Sequence, residues 1–161
     1  MGSSETMKFL LDTYIWLWSL LETHRLHRSI SEVLENDINE LFISPITIWE
    51  TMILAEKQRI VLMPSPVEWV KEALKHSPVK EALLSHAVAI KSRLIELPHH
   101  DPADRFIAAT AWEYNMTLIT MDEKLRESKQ IKVFKSTYPK SLQFIFLQNS
   151  SPDYLLRTSA I

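Results

Sequence analysis

Between Lys8 and Phe134 the chain alternates short apolar runs with longer segments whose apolar residues recur at helical spacing. The runs in "KFLLD", "LFIS", "MTLIT" and "IKVF" are short and predict strands. Helical spacing is read in "TYIWLWSLL" and in "HRSISEVLENDI", where Ile30, Val33, Leu34 and Ile38 share a face. Ser44 is placed to cap a helix that Pro45 opens. Met63 to Pro78, punctuated by Pro64, Pro66 and Pro78, predicts one short helix around Val67 to Leu74 and reads as a lid or connector. "VKEALLS" predicts a strand leading to a helix capped at Ser85 that stops before Pro98, although strand and helix are hard to separate there. The clearest helix is "DPADRFIAATAWEY", with Asp101 as N-cap and Pro102 at the first position, and "DEKLRES" gives a short one. Strands alternating with helices in this way predict an α/β fold, a parallel sheet covered on both faces.

After Phe134 the rhythm stops. Residues 135–161 hold Tyr138-Pro139, an alternating "LQFIFLQ" and a polar "NSSPD", and are expected to form an extension of unknown structure. The leading "MGSSET" resembles an expression scar, so residues 1–6 are set outside the fold and Met7 is the expected native start.

Four acids sit where the pattern calls for core, and these are the informative ones. Asp12 ends the first strand, where ligands bind in open α/β sheets, although it also suits the N-cap of the next helix. Glu50 shares its helical face with Ile46, Ile53 and Leu54, too far inside the helix to be a cap; the alternative is a snorkelling edge residue. Asp104 lies on the stripe of Ile107, Ala108, Ala111 and Trp112, or is simply a favourable charge in a first turn. Asp122 follows the "TLIT" strand, and by itself reads best as a cap. In a parallel sheet the four could converge at the carboxyl edge. Four neighbouring carboxylates cannot all stay ionised without a countercharge, and oxygen-only ligands with room for water suit Mg²⁺ or Mn²⁺. Such an ion acidifies water and offsets charge on a phosphodiester, so the pattern points to metal-dependent phosphodiester hydrolysis.

Composition narrows the rivals. The only glycine is Gly2, which excludes glycine-rich phosphate loops, and the absence of cysteine excludes disulfides and thiolate metal sites. An apolar share of 46%, a charged share of 24% and no apolar run of membrane length predict a soluble, cytoplasmic, single-domain protein with no membrane partner. The formal net charge of -2 leaves any polyanion contact to local residues, Lys57, Arg59, Arg105, Lys124 and Lys132. In "PHHD" the adjacent histidines, His99 and His100, point in different directions just before a helix start and are not counted as ligands. Trp16, Trp49 and Trp112 fall on helical faces and are read as core.

"FLLDTYIWLW", "ISPITIWETMI", "ELPHHDPADRFIAATA" and "TLITMDEKL", in that order and spacing, resemble the PIN-domain ribonuclease toxins of type II toxin-antitoxin modules, the VapC family. The likeness runs from about Lys8 to Phe134, within a nuclease domain expected over residues 7–134, and the H-x-D-P-x-D-R block is its most specific part. It implies a PIN-like three-layer α/β/α sandwich with a central parallel sheet of four to five short strands. It also implies a Mg²⁺- or Mn²⁺-dependent endoribonuclease of the prokaryotic cytoplasm, leaving a 5′-phosphate, with a cognate antitoxin as partner. A homodimer or a toxin-antitoxin hetero-oligomer is the implied assembly. Carried over by position, the catalytic and metal-binding acids are Asp12, Glu50, Asp104 and Asp122. The supporting residues are Thr13, Thr120 and Arg105.

The rival reading is a catalytically weak PIN-like binding protein that acts mainly in an antitoxin complex on operator DNA. Phosphotransfer through an aspartyl intermediate also uses an acid after the first strand, but it wants a second Asp where this chain has Tyr14.

Overall fold

The computed structural model describes residues 5–136 and the pair Leu156–Arg157. The "LQFIFLQ" and "NSSPD" segments therefore lie outside the described residues. The chain runs through β1 (Lys8–Leu11), α1 (Thr13–Leu21), a 3-10 turn at Thr23–Arg25, α2 (Arg28–Glu35), β2 (Glu40–Ile43) and α3 (Pro45–Glu56). It continues with β3 (Ile60–Val61), α4 (Pro66–His76), β4 (Val79–Glu81), α5 (His86–Leu94) and α6 (Pro102–Glu113). The last elements are β5 (Thr117–Ile119), α7 (Glu123–Arg126), β6 (Lys132–Val133) and β7 (Leu156–Arg157).

Five strands form one parallel sheet in the order β4-β2-β1-β5-β6, as the alternation of strand and helix predicts. Leu10 of β1 is aligned with Phe42 on one side and Leu118 on the other, and the backbone N–H of Asp12 donates to the Ile119 carbonyl at 3.0 Å. The chain builds outward from β1 through β2 to β4, then crosses back to place β5 on the other side. The strand order thus reverses between β1 and β5, and the residues that follow these two strands face a crevice at the carboxyl edge. β3 pairs separately, in parallel, with β7.

Alternation along β1 divides the core into two layers. Phe9 and Leu11 join Ile15, Trp16, Leu17, Ile30, Leu41 and Trp69 on the side of α1, α2 and α4. Leu10 joins Leu118, Ile95, Ile107, Ala108 and Ala111 on the side of α5 and α6. α3 packs with helices of both sides, Leu54 lying in the first cluster and Ile46 against the second. This is the expected sandwich, with a five-stranded sheet. With no glycine after residue 2, Gln58 and Asn115 take the left-handed position just past α3 and α6, at φ 55° and 51°. Among the described residues no helix is long and apolar enough to cross a membrane.

Four expectations change. The Met63 to Pro78 segment is a wall of the core rather than a lid, because Trp69, Val70 and Ala73 share the inner face of α4 and Trp69 meets Trp16 edge to face at 5.9 Å. Trp49 is 53% exposed: Thr47, Thr51 and Leu54 define the inner stripe of α3, and Trp49 falls on the opposite side. Ile38 lies beyond the end of α2 and is exposed.

The fourth is Arg105, expected beside the acids and available to RNA. It is only 7% exposed and turns toward the C-terminus of α5, where Nε donates to the Ser92 carbonyl at 2.7 Å. One terminal nitrogen donates to Ile95 at 2.8 Å and Arg93 at 3.3 Å. These carbonyls end a helix and have no partner in the next turn, so the cation satisfies them and complements the helix dipole. Arg105→Ala is expected to lower stability by about 2–4 kcal/mol in urea unfolding, and Arg105→Lys to recover less than half of it, since an ammonium cannot fork between three carbonyls.

Candidate active site

Each acid reaches the crevice by a local device. Asp12 follows β1 and is also the N-cap of α1, its Oδ1 accepting from the Thr13 N–H at 2.8 Å. The cap and site readings of this residue are therefore compatible. Its Oδ2 accepts from the Thr120 hydroxyl at 2.6 Å, and the same hydroxyl oxygen accepts from the Asp122 N–H at 3.0 Å. Asp122 in turn caps α7 through Lys124 N–H at 2.8 Å. Thr120 is thus the link between the ends of β1 and β5.

Glu50 projects from the edge of the inner stripe of α3, one residue before buried Thr51, and its Oε1 accepts from the Thr13 hydroxyl at 2.6 Å. Thr13 and Thr120 are both buried. Each therefore commits a buried hydroxyl to one carboxylate. Asp104, in the first turn of α6, offers an oxygen to a cluster with Asp122 and His99 in which one ligand atom from each lies within 4.8 Å of the others.

The electrostatics tie all four acids together. Burial pushes the Asp12 carboxyl up, against the Thr120 and Thr13 hydrogen bonds, and the Asp122 charge adds to it. Glu50 is pushed up to about 7 by burial, opposed by the Thr13 hydroxyl and reinforced by Asp12 and Asp101. Asp104 is pushed up to about 8, first by burial and then by Asp12, Asp101, Asp122 and Glu50. The Tyr14 hydroxyl is raised by burial, opposed by the Arg59 guanidinium, with Glu50 and Asp12 adding to the rise, so Tyr14 and Arg59 rim the same site. The donor set of hard carboxylate oxygens, short of countercharge, fits a small divalent cation.

Two residues of this neighbourhood escape the sequence pattern. The pattern marks Asp101 only as the cap of α6, a role it fills by accepting from Asp104 N–H at 3.1 Å, yet its charge bears on Glu50 and Asp104. It treats His99 and His100 alike, but the structure separates them, leaving His100 exposed and turning His99 to within 3.4 Å of the Asp104 carboxylate. The signal for both is their place in the same "HHDPAD" block as Asp104.

Comparison with known proteins agrees with the fold. Residues 9–130 match the PIN domain family. The chain is 33% identical over 123 residues, 74% of its own length and 91% of the relative's, to Ribonuclease VapC22 of Mycobacterium tuberculosis. Among solved structures it superposes on a chain of VapBC2 from Rickettsia felis, bound to a DNA fragment from their promoter, with TM-score 0.60 and 18% identity. That match covers 80% of this chain and 98% of the other. A toxin-antitoxin complex from Klebsiella pneumoniae matches with TM-score 0.54 and 24% identity over 78% of this chain and 95% of the other.

The raised carboxyls have a direct consequence for stability. Without a cation, the folded protein keeps protons on Glu50 and Asp104 up to about pH 7 and 8, whereas the unfolded chain releases them near pH 4. The native state therefore binds more protons across this window, and stability falls as pH rises through it. Thermal melts in EDTA are expected to show a Tm that drops from about pH 5 to pH 8, and Asp104→Asn to flatten the slope and stabilise the protein at pH 8 by roughly 1–2 kcal/mol, a few degrees of Tm.

Proposed function

We propose, since this chain belongs to the PIN-domain family of VapC ribonuclease toxins, that it is the endoribonuclease toxin of a toxin-antitoxin pair and cleaves RNA with the help of a divalent cation. The observation that supports this best is the convergence of Asp12, Glu50, Asp104 and Asp122 on one crevice, with three of them raised above the usual carboxylate range. Asp12, Glu50 and Asp104 would hold Mg²⁺ or Mn²⁺, and Asp122 would help bind it or a second ion. When bound, the ion supplies Lewis-acid chemistry, acidifying an attacking water and offsetting charge on the scissile phosphate.

The protein's own part is orientation. Thr13 and Thr120 fix one oxygen each of Glu50 and Asp12, so these carboxylates are aimed before a cation arrives. Arg59, exposed at the rim with Tyr14, would meet a substrate phosphate, with exposed Lys57 just past the helix that carries Glu50 and exposed Lys124 in the helix that Asp122 caps. Such contacts read phosphate and strand geometry rather than base identity.

An antitoxin partner fits the surface as well. Ile90 and Leu94, one turn apart on α5, are each about 60% exposed, and Leu83 and Leu84 just before that helix are exposed too, the kind of surface that a protein partner covers. Cytoplasmic location follows the same family reading.

Incubating the purified protein with an RNA pool tests the proposal. Cleavage is expected with Mg²⁺ or Mn²⁺ and none with EDTA, and Asp12→Asn combined with Asp104→Asn should reduce the rate by at least about 100-fold. Equal cleavage by that double variant, or cleavage that survives EDTA, would refute it.

A further inference from the structure

His99 has a place in this site that a cluster of acids alone does not explain. The histidine side chain is 16% exposed, and its Nε2 is closed off from solvent with no hydrogen bond formed. The nearest acidic oxygen is Oδ2 of Asp104, 3.4 Å away. On the other side of the ring, Nδ1 accepts from the backbone N–H of Asp101 at 3.2 Å. A backbone N–H can only donate, so Nδ1 holds a lone pair and the ring proton sits on Nε2, facing Asp104.

The same short loop fixes both partners. Asp101 donates its N–H to His99 and accepts the Asp104 N–H on its own carboxylate at 3.1 Å, while Pro102, which has no N–H, opens the helix that carries Asp104. "HHDPAD" is therefore a closed unit in which the imidazole and the carboxylate are held against each other by one aspartate.

We propose that His99 is a positioning residue: its Nε2–H closes to a hydrogen bond on Oδ2 of Asp104 when a cation binds, and so holds that carboxylate for the ion. This rests on the metal-site reading above. Direct ligation by Nε2 would need the lone pair there and the proton on Nδ1, which would break the bond from Asp101. Hydrogen bonds from outside the ligand set commonly set the affinity of a metal-binding carboxylate, at a cost of about 10- to 100-fold when removed.

Mn²⁺ titration of the full chain, followed by the EPR signal of the free ion, tests this, with circular dichroism to establish that each variant is folded. His99→Ala is expected to weaken Mn²⁺ binding about 10-fold. His99→Gln, whose amide N–H reaches the position of Nε2–H, should recover most of it. Pulsed EPR of the bound ion should show no strongly coupled nitrogen. Binding by His99→Ala equal to the parent, a His99→Gln no better than Ala, or a strong nitrogen coupling would overturn the proposal while leaving the metal site standing. Failure of the unaltered protein to bind Mn²⁺ would overturn both.

Discussion

Like charge is the constraint on which this molecule is arranged. Asp12, Glu50, Asp101, Asp104 and Asp122 bear on one another at the carboxyl edge of the sheet, and burial makes the ionisation of Asp12, Glu50 and Asp104 harder. Nothing in the hydrophobic core would gather them. They are brought together by the reversal of strand order between β1 and β5, by α3 leaning one edge over the crevice, and by the capped first turn of α6. The energy for that convergence comes from the two apolar layers that clamp the sheet, in which Leu10, Trp16, Ile107 and Leu118 are fully enclosed.

The hydrogen bonds around the acids divide into two kinds. Thr13 and Thr120 donate to carboxylates, and so favour the ionised form of Glu50 and Asp12 that a cation requires. Asp12, Asp101 and Asp122 are also helix caps, so their backbone positions are fixed by the start of α1, α6 and α7. One residue type thus serves two ends: the cap sets where the acid sits, and the crevice gives it a neighbour to repel. His99 Nε2 stands 3.4 Å from the Asp104 carboxylate without a hydrogen bond, and Asp104 is raised further than Glu50, which has Thr13.

How far this is legible from sequence differs by residue. Strand and helix alternation points to the parallel sheet because most runs, "VKEALLS" excepted, are too short or too periodic to be anything else, and Glu50 stands out because an acid beside an apolar helical stripe and far from the helix start is no cap. Asp12 and Asp122 are ambiguous between cap and site for a physical reason, since they are both. What the pattern does not carry is direction across a helix or a loop. Arg105 follows Asp104 by one position, and a helix turns successive side chains about 100° apart, so one faces the crevice and the other faces α5. His99 and Asp101 lie in irregular backbone, where no period says which way a side chain points. Trp49 misleads because an indole on a helix next to an apolar stripe reads as core whichever side it takes.

With Asp12, Glu50 and Asp104 raised by burial, protons hold the acidic cluster together, and the proposed divalent cation would have to replace them. Calorimetric titration of Mn²⁺ into the protein at pH 7, repeated in buffers of different ionisation enthalpy, counts the protons released per ion. With Glu50 near 7, Asp104 near 8 and Asp12 also raised, more than one proton is expected to leave, and fewer in the Glu50→Gln, Asp104→Asn double variant for whatever binding remains. Binding of Mn²⁺ with no proton release would show that the cluster is not held by protons.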